Sequence, residues 1–116
     1  MTNEQFENRV AMRMSLCAKT LLKKGKEYNI NTDDRLSAFK AAAALENVNP
    51  AEALGGMLAK HLVSIYDMLP HFDCISSDIW EEKIGDAINY LLILDALIYE
   101  DNDRKCVNAR EKNEED

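Results

Sequence analysis

Apolar residues recur along this chain at helical spacing, and nowhere with the period of two that marks a strand. Phe6, Val10, Met14, Cys17 and Leu21 form one narrow stripe, which predicts a first helix from about Glu4 to Lys24. Thr2 and Gln5 stand at capping-box spacing before it, and Gly25 takes the C-cap position after it. "KEYNINTDD" then reads as a connection, because Asn and Asp favour turns. A second helix begins near Asp33 or Asp34 and runs through the alanine-rich "RLSAFKAAAALE", with Leu36, Phe39 and Ala43 on one face. "NVNP" stops it. Asn49, Pro50 and Glu52 follow as N-cap, first helical residue and third-position acid of a third helix. That helix reaches Met68 and turns Leu54, Met57, Leu58, His61, Ile65 and Met68 inward.

Pro70 breaks the third helix, "HFDCISS" is a loop, and Ser77 or Asp78 caps a fourth helix that reaches about Glu100. Its apolar residues fall on two opposite sides, Ile84, Ile88, Leu91 and Leu92 on one and Ile79, Tyr90, Ile93 and Leu97 on the other. A helix apolar on opposite sides packs between neighbours. It is the centre of a bundle, or one side is a subunit interface. From Asp101 onward only Cys106, Val107 and Ala109 are available for burial, so residues 101–116 read as a frayed or disordered charged tail. The fold class is all-α, a four-helix bundle domain over residues 1–100 with that tail behind it.

A length of 116 residues is one domain's worth, enough for a core without disulfide or metal staples. Fourteen Lys and Arg against 21 Asp and Glu leave a net charge of −7. Duplex DNA and anionic membrane surfaces are therefore poor partners, since no basic patch is large enough to replace their counterions. The one cationic cluster, Lys19, Lys23, Lys24 and Lys26, is local and suits a single phosphate group. Cys17, Cys74 and Cys106 are odd in number, far apart and without a CxxC, which argues for a reducing compartment and against a zinc site. The N-terminus is unlike a signal peptide, and the most apolar stretch, "INYLLILDALIY", is interrupted by Asp95. A soluble, cytoplasmic protein is expected.

The polar residues that border the apolar stripes carry the candidate chemistry. Glu82, Asp86 and Asn89 lie at i, i+4 and i+7 within about 60° of one another on the fourth helix. Lys60, Ser64 and Asp67 repeat the spacing on the third, so the two ladders would face each other across a narrow cleft. Oxygen ligands there suit Mg²⁺, which takes one or two carboxylates and completes its shell with water and substrate phosphates. The plain alternative is the solvated border of any amphipathic helix. Asp86 stands out, since a carboxylate so close to an apolar side must be paired or ligating. "KKGKEYN" offers Lys24, Lys26 and Tyr28 to a phosphate and a base, although lysines at a helix end also complement the dipole. His61, inside an apolar stripe, reads as a core or interface histidine, and Gly55-Gly56 inside a helix as a point of close packing.

Taken in order, "KGKEYN", "DDRLSAFKAAAAL", "NPAEALGGMLAKHLVSI" and "EEKIGDAINYLLIL" resemble small phage and prophage proteins related to the MazG-like all-α nucleotide pyrophosphohydrolases and the phage nucleotide-modification-associated domains. The resemblance spans roughly residues 19 to 98. It implies a helical bundle, often dimeric, that cleaves between the α- and β-phosphates of a nucleoside triphosphate with Mg²⁺. Catalytic relatives hold metal with an ExxE pair on one helix and an ExxD pair on the next. Here Glu82 and Asp86 are four apart and the first pair is missing from its expected place. The resemblance assigns Glu82 and Asp86 as metal ligands or catalytic groups, and Asn89, Tyr90, Lys26, Tyr28 and Lys60 as nucleotide contacts. A second reading, from the charge alone, is a non-catalytic phage protein that docks on a host protein through its acidic surface.

Overall fold

The computed structural model describes residues 1–28 and 33–115, and for Tyr28 and residues 113–115 the backbone alone. Its helices are α1 (Asn3–Tyr28), α2 (Ser37–Glu46), α3 (Pro50–Met68) and α4 (Ser77–Glu115), with a 3₁₀ turn at Leu69–His71. The described residues contain no strand, so the chain is an all-α bundle as its periodicity predicts. Among them, no helix is long and apolar enough to cross a membrane.

Local chemistry sets two of the helix starts. Thr2 N–H donates to Gln5 Oε1 at 2.8 Å while Gln5 N–H donates to Thr2 Oγ1 at 3.1 Å, a reciprocal cap on α1. Asn49 Oδ1 accepts from Glu52 N–H at 2.8 Å, with Pro50 in the first turn where no donor is needed. α2 ends at Asn47, whose φ of 59° is left-handed, a conformation that Asn tolerates.

Three boundaries depart from the sequence expectation. α1 runs through Gly25 to Tyr28, because Gly25 is helical and serves close approach instead of a left-handed cap. A Cβ there would lie 2.5 Å from Arg35 Nε, and Arg35 Nη2 donates to the Leu21 carbonyl at 3.2 Å. α2 begins at Ser37, later than Asp33 or Asp34. Asp34 forms the turn before it: Oδ1 accepts from Leu36 N–H at 3.0 Å and Oδ2 meets Lys40 Nζ at 2.7 Å. α4 continues to Glu115 where an end near Glu100 is expected. Ion pairs one turn apart, Arg104–Glu100 at 3.5 Å and Lys105–Asp101 at 2.9 Å, support that exposed polar extension. The connection's residues 29–32 and the terminal Asp116 lie outside the described residues.

α3 and α4 form an antiparallel hairpin, closed where Trp80 Nε1 donates to the Phe72 carbonyl at 3.2 Å. Leu36 reaches in beside Leu54 of α3 and Leu97 of α4, and Phe39, Tyr90, Ile93 and Leu94 pack around these three. α1 lies parallel to α4: Arg9 and Arg13 both reach Glu81, and Cys17 Sγ approaches the Gly85 carbonyl at 3.9 Å. The core is thin. On α4 the side bearing Tyr90, Ile93 and Leu97 is covered, whereas Ile84 and Leu91 on the opposite side are open, as are Phe6, Val10 and Met14 of the α1 stripe.

Lys40 ties the turn before α2 to α4, its Nζ lying 2.7 Å from both Asp34 Oδ2 and Glu100 Oε1. Its hydrogen bond and the Leu36 N–H hold the Asp34 carboxyl below its ordinary 3.8. Asp34 and Glu100 together hold the Lys40 ammonium above 10.5. The Asp34 contribution to stability is present above its unfolded value and fades as pH falls past it. That of Lys40 is present below 10.5 and fades as pH rises through its folded value. Lys40→Met is therefore expected to flatten both limbs of a melting-temperature profile against pH while changing little at the acid extreme, by a modest amount because all three groups are partly exposed. Parallel profiles for the two proteins would refute this linkage.

Candidate functional site

The edge of α4 that carries Asp86 and Asn89 faces α1 and the turn before α2. Asn89 follows from its position: residues 85, 89 and 93 share the side against α1 and α2, so the amide is carried inward with Gly85 and Ile93. It is 8% exposed, and its Oδ1 is buried with no hydrogen-bond partner. Native proteins seldom leave such an atom unsatisfied, since the penalty is about 1–3 kcal/mol.

Two hollows adjoin this edge. One, of about 260 Å³, is lined by Lys24, Arg35, Phe39, Asp86, Asn89 and Tyr90 among others. The other, of about 280 Å³, lies toward the start of α4 and is lined by Arg13, Cys17, Lys24, Glu82, Asp86 and Asn89 among others. They share Lys24, Asp86 and Asn89, and together they fall in the volume range of small-molecule sites. Behind Asp86, His61 brings Nδ1 to 4.0 Å from Oδ2, within ion-pair range but beyond a hydrogen bond. Its ring sits 4.8 Å from that of Tyr90, tilted by 37°. His61 is thus half-buried in the α3–α4 contact, supporting Asp86 and Tyr90 from the rear.

The structure brings together Asp86, Asn89 and Tyr90, with Glu82 exposed at the mouth. It does not bring in the α3 ladder. Lys60 and Asp67 are exposed, and neither they nor Ser64 line either hollow, because α3 uses its Leu54–His61 stripe to meet α4. The ladder facing Asp86 across the cleft comes instead from α1 and the turn before α2. Lys26 is displaced as well: it lies past Arg35, in a separate hollow with Leu22 and Leu92. The side chain of Tyr28 lies outside the described residues.

Cationic groups at the cleft are Lys24 and Arg35, with Arg13 at its far end. Lys24 was legible as a member of the cationic cluster and of "KKGKEYN". Arg35 was not, since its placement depends on the close crossing at Gly25.

These donors do not make a Mg²⁺ site out of protein ligands alone. The described residues contain no group of three His, Cys, Asp or Glu able to hold a metal ion. Three carboxylates line the two hollows: Glu81 is paired with Arg9 and Arg13, Glu82 is exposed, and Lys24 and Arg35 share the cleft of half-buried Asp86. One or two carboxylates hold Mg²⁺ only where water and substrate phosphates complete its shell, and without those phosphates the neighbouring cations oppose it. An anionic ligand meets the opposite electrostatics. Comparison with known proteins finds no matching family model, no similar curated protein and no similar solved structure.

Proposed function

We propose that this chain is a MazG-like nucleotide-binding protein of the cytoplasm, homodimeric, in which the cleft between α1, the turn before α2 and α4 holds the ligand without a protein-bound metal. The buried, unpartnered Oδ1 of Asn89, a residue that lines that cleft, carries the reading. A base presents the donor such an oxygen lacks, and the amide can accept from and donate to one base edge. Tyr90 and Phe39 supply rings beside it, and Lys24 and Arg35 supply charge for phosphates at the rim. Asp86 accepts from a sugar hydroxyl or an exocyclic amine. With Glu81 paired to arginines, Glu82 exposed and cations beside Asp86, the site favours binding over hydrolysis.

Titration calorimetry with the common nucleoside mono-, di- and triphosphates, with and without Mg²⁺, tests this. Saturable binding is expected without Mg²⁺. Arg35→Ala should weaken it roughly tenfold or more, the usual range for a lost charge-assisted hydrogen bond. Gly25→Ala should weaken it in the same direction by displacing Arg35, with helix content retained. Glu82→Gln should change little. Absence of binding, or binding indifferent to Arg35→Ala, overturns the site. Release of monophosphate and pyrophosphate in Mg²⁺ would overturn the metal-free account and restore catalytic roles to Glu82 and Asp86.

A further inference from the structure

α3 is apolar on the side it buries and also on the side it leaves open. Gly55, Gly56, Ala59, Leu62, Val63 and Tyr66 occupy the outward arc at about 100° per residue, and all six are exposed, Tyr66 to 72%. No charged residue lies within this run; Lys60 and Asp67 lie at its border, and exposed Glu52 continues the same arc one turn before the glycines. A Cβ added at Gly55 or Gly56 would meet nothing within 4 Å. Each glycine costs a helix about 1 kcal/mol relative to alanine. Within one chain that cost has no return.

The surface as a whole points the same way. The chain exposes 8947 Å², about 2,500 Å² more than a compact monomer of its 13.2 kDa would. Its radius of gyration is 18.1 Å, against about 13 Å for a compact domain of this length. Part of the excess is the polar end of α4. Apolar residues are open on α1, α3 and α4, and the whole excess is about three times the roughly 800 Å² per partner that a stable dimer buries.

We infer that the outward face of α3 is the dimer interface, with two copies of α3 packed antiparallel and the glycine end of each receiving the Leu62–Tyr66 end of the other. The occupant is a second copy because the face is complementary to itself. Its small residues, Gly55, Gly56 and Ala59, fill one end and its large ones, Leu62, Val63 and Tyr66, the other. A two-fold axis between the levels of Lys60 and His61 sets Tyr66 over the partner copy's glycines, the isologous arrangement of a symmetric dimer. Open glycines let the helix axes come closer than the usual spacing of 8–10 Å. Ile84 and Leu91 of α4, also exposed, are further apolar surface left open in the single chain. This deepens the homodimeric part of the reading above and is independent of its ligand. A dimer that binds no nucleotide keeps the interface and loses the cleft; a monomer that binds one does the reverse.

Sedimentation equilibrium of the full chain tests it. A mass of twice 13.2 kDa is expected at micromolar concentration. Tyr66→Glu should weaken self-association at least roughly tenfold, as for a central interface aromatic. Gly55→Leu should do the same by filling the hollow, and it guards against misfolding, since a Cβ there has nothing within 4 Å in the single chain and leucine raises helix propensity. Circular dichroism should show full helix content in both variants. A chain of 13.2 kDa at every concentration assigns the face to another macromolecule and overturns the proposal. So does a dimer that survives both substitutions, and a dimer broken by Tyr66→Glu but not by Gly55→Leu overturns the antiparallel pairing.

Discussion

Asn89→Leu is expected to melt at a higher temperature than the natural protein and to lose nucleotide binding in the same step. The side chain is 8% exposed, its oxygen has no partner, and leucine has nearly its shape without the polar atoms. Removing a buried unsatisfied acceptor recovers its desolvation penalty, about 1–3 kcal/mol, and adds apolar burial beside Ile93 and Cys17. Stability given up at one buried position is what a binding site looks like when its ligand supplies the missing hydrogen bond. A differential scanning series with and without nucleotide separates the two effects. The variant's ligand-free melt should rise, and the upward shift that saturating nucleotide produces in the natural protein should vanish. A variant that melts lower and keeps the shift would show Asn89 to be structural and the cleft misassigned.

Leu54→Ala should be the most damaging conservative substitution in the chain. Leu54 is wholly buried, and it joins Leu36 before α2 to Leu97 of α4, so one truncation opens a void between three elements. Such truncations cost about 2–5 kcal/mol, a large share of the 5–15 kcal/mol that typically holds a domain together. A fall in melting temperature of roughly 10–20 °C is expected. Leu45→Ala is the control. Leu45 is 90% exposed on α2, and its truncation should stay within about 0.5 kcal/mol. Equal losses at the two positions in a denaturant titration would mean that the core is not centred on Leu54.

The linear pattern was informative wherever the deciding interaction is local. The Thr2–Gln5 box and the Asn49–Pro50–Glu52 start are closed by residues three apart, so their chemistry is written in neighbouring letters. The inward stripe of α3 was legible for the same reason, since period and face are properties of one helix. Gly25 misled because a glycine near a helix end usually marks a cap, and only the arrival of Arg35 shows that it is a crossing point. The length of α4 misled because the polar residues past Glu100 have little to bury, while their i, i+4 ion pairs favour helix without a core.

By itself the sequence determined the all-α class, the α3 cap and the inward face of α3, because backbone propensity and the 3.6-residue repeat act over a few residues. It also singled out Asp86 as a carboxylate too close to an apolar side to be idle, with Asn89 on the same polar edge. Only the tertiary structure decided what they face. Whether Lys60 or Arg35 stands across the cleft depends on the rotation of α3 and the path between α1 and α2. Those are set by how Leu36, Leu54 and Leu97 meet, a contact among residues far apart in the chain that no local pattern encodes.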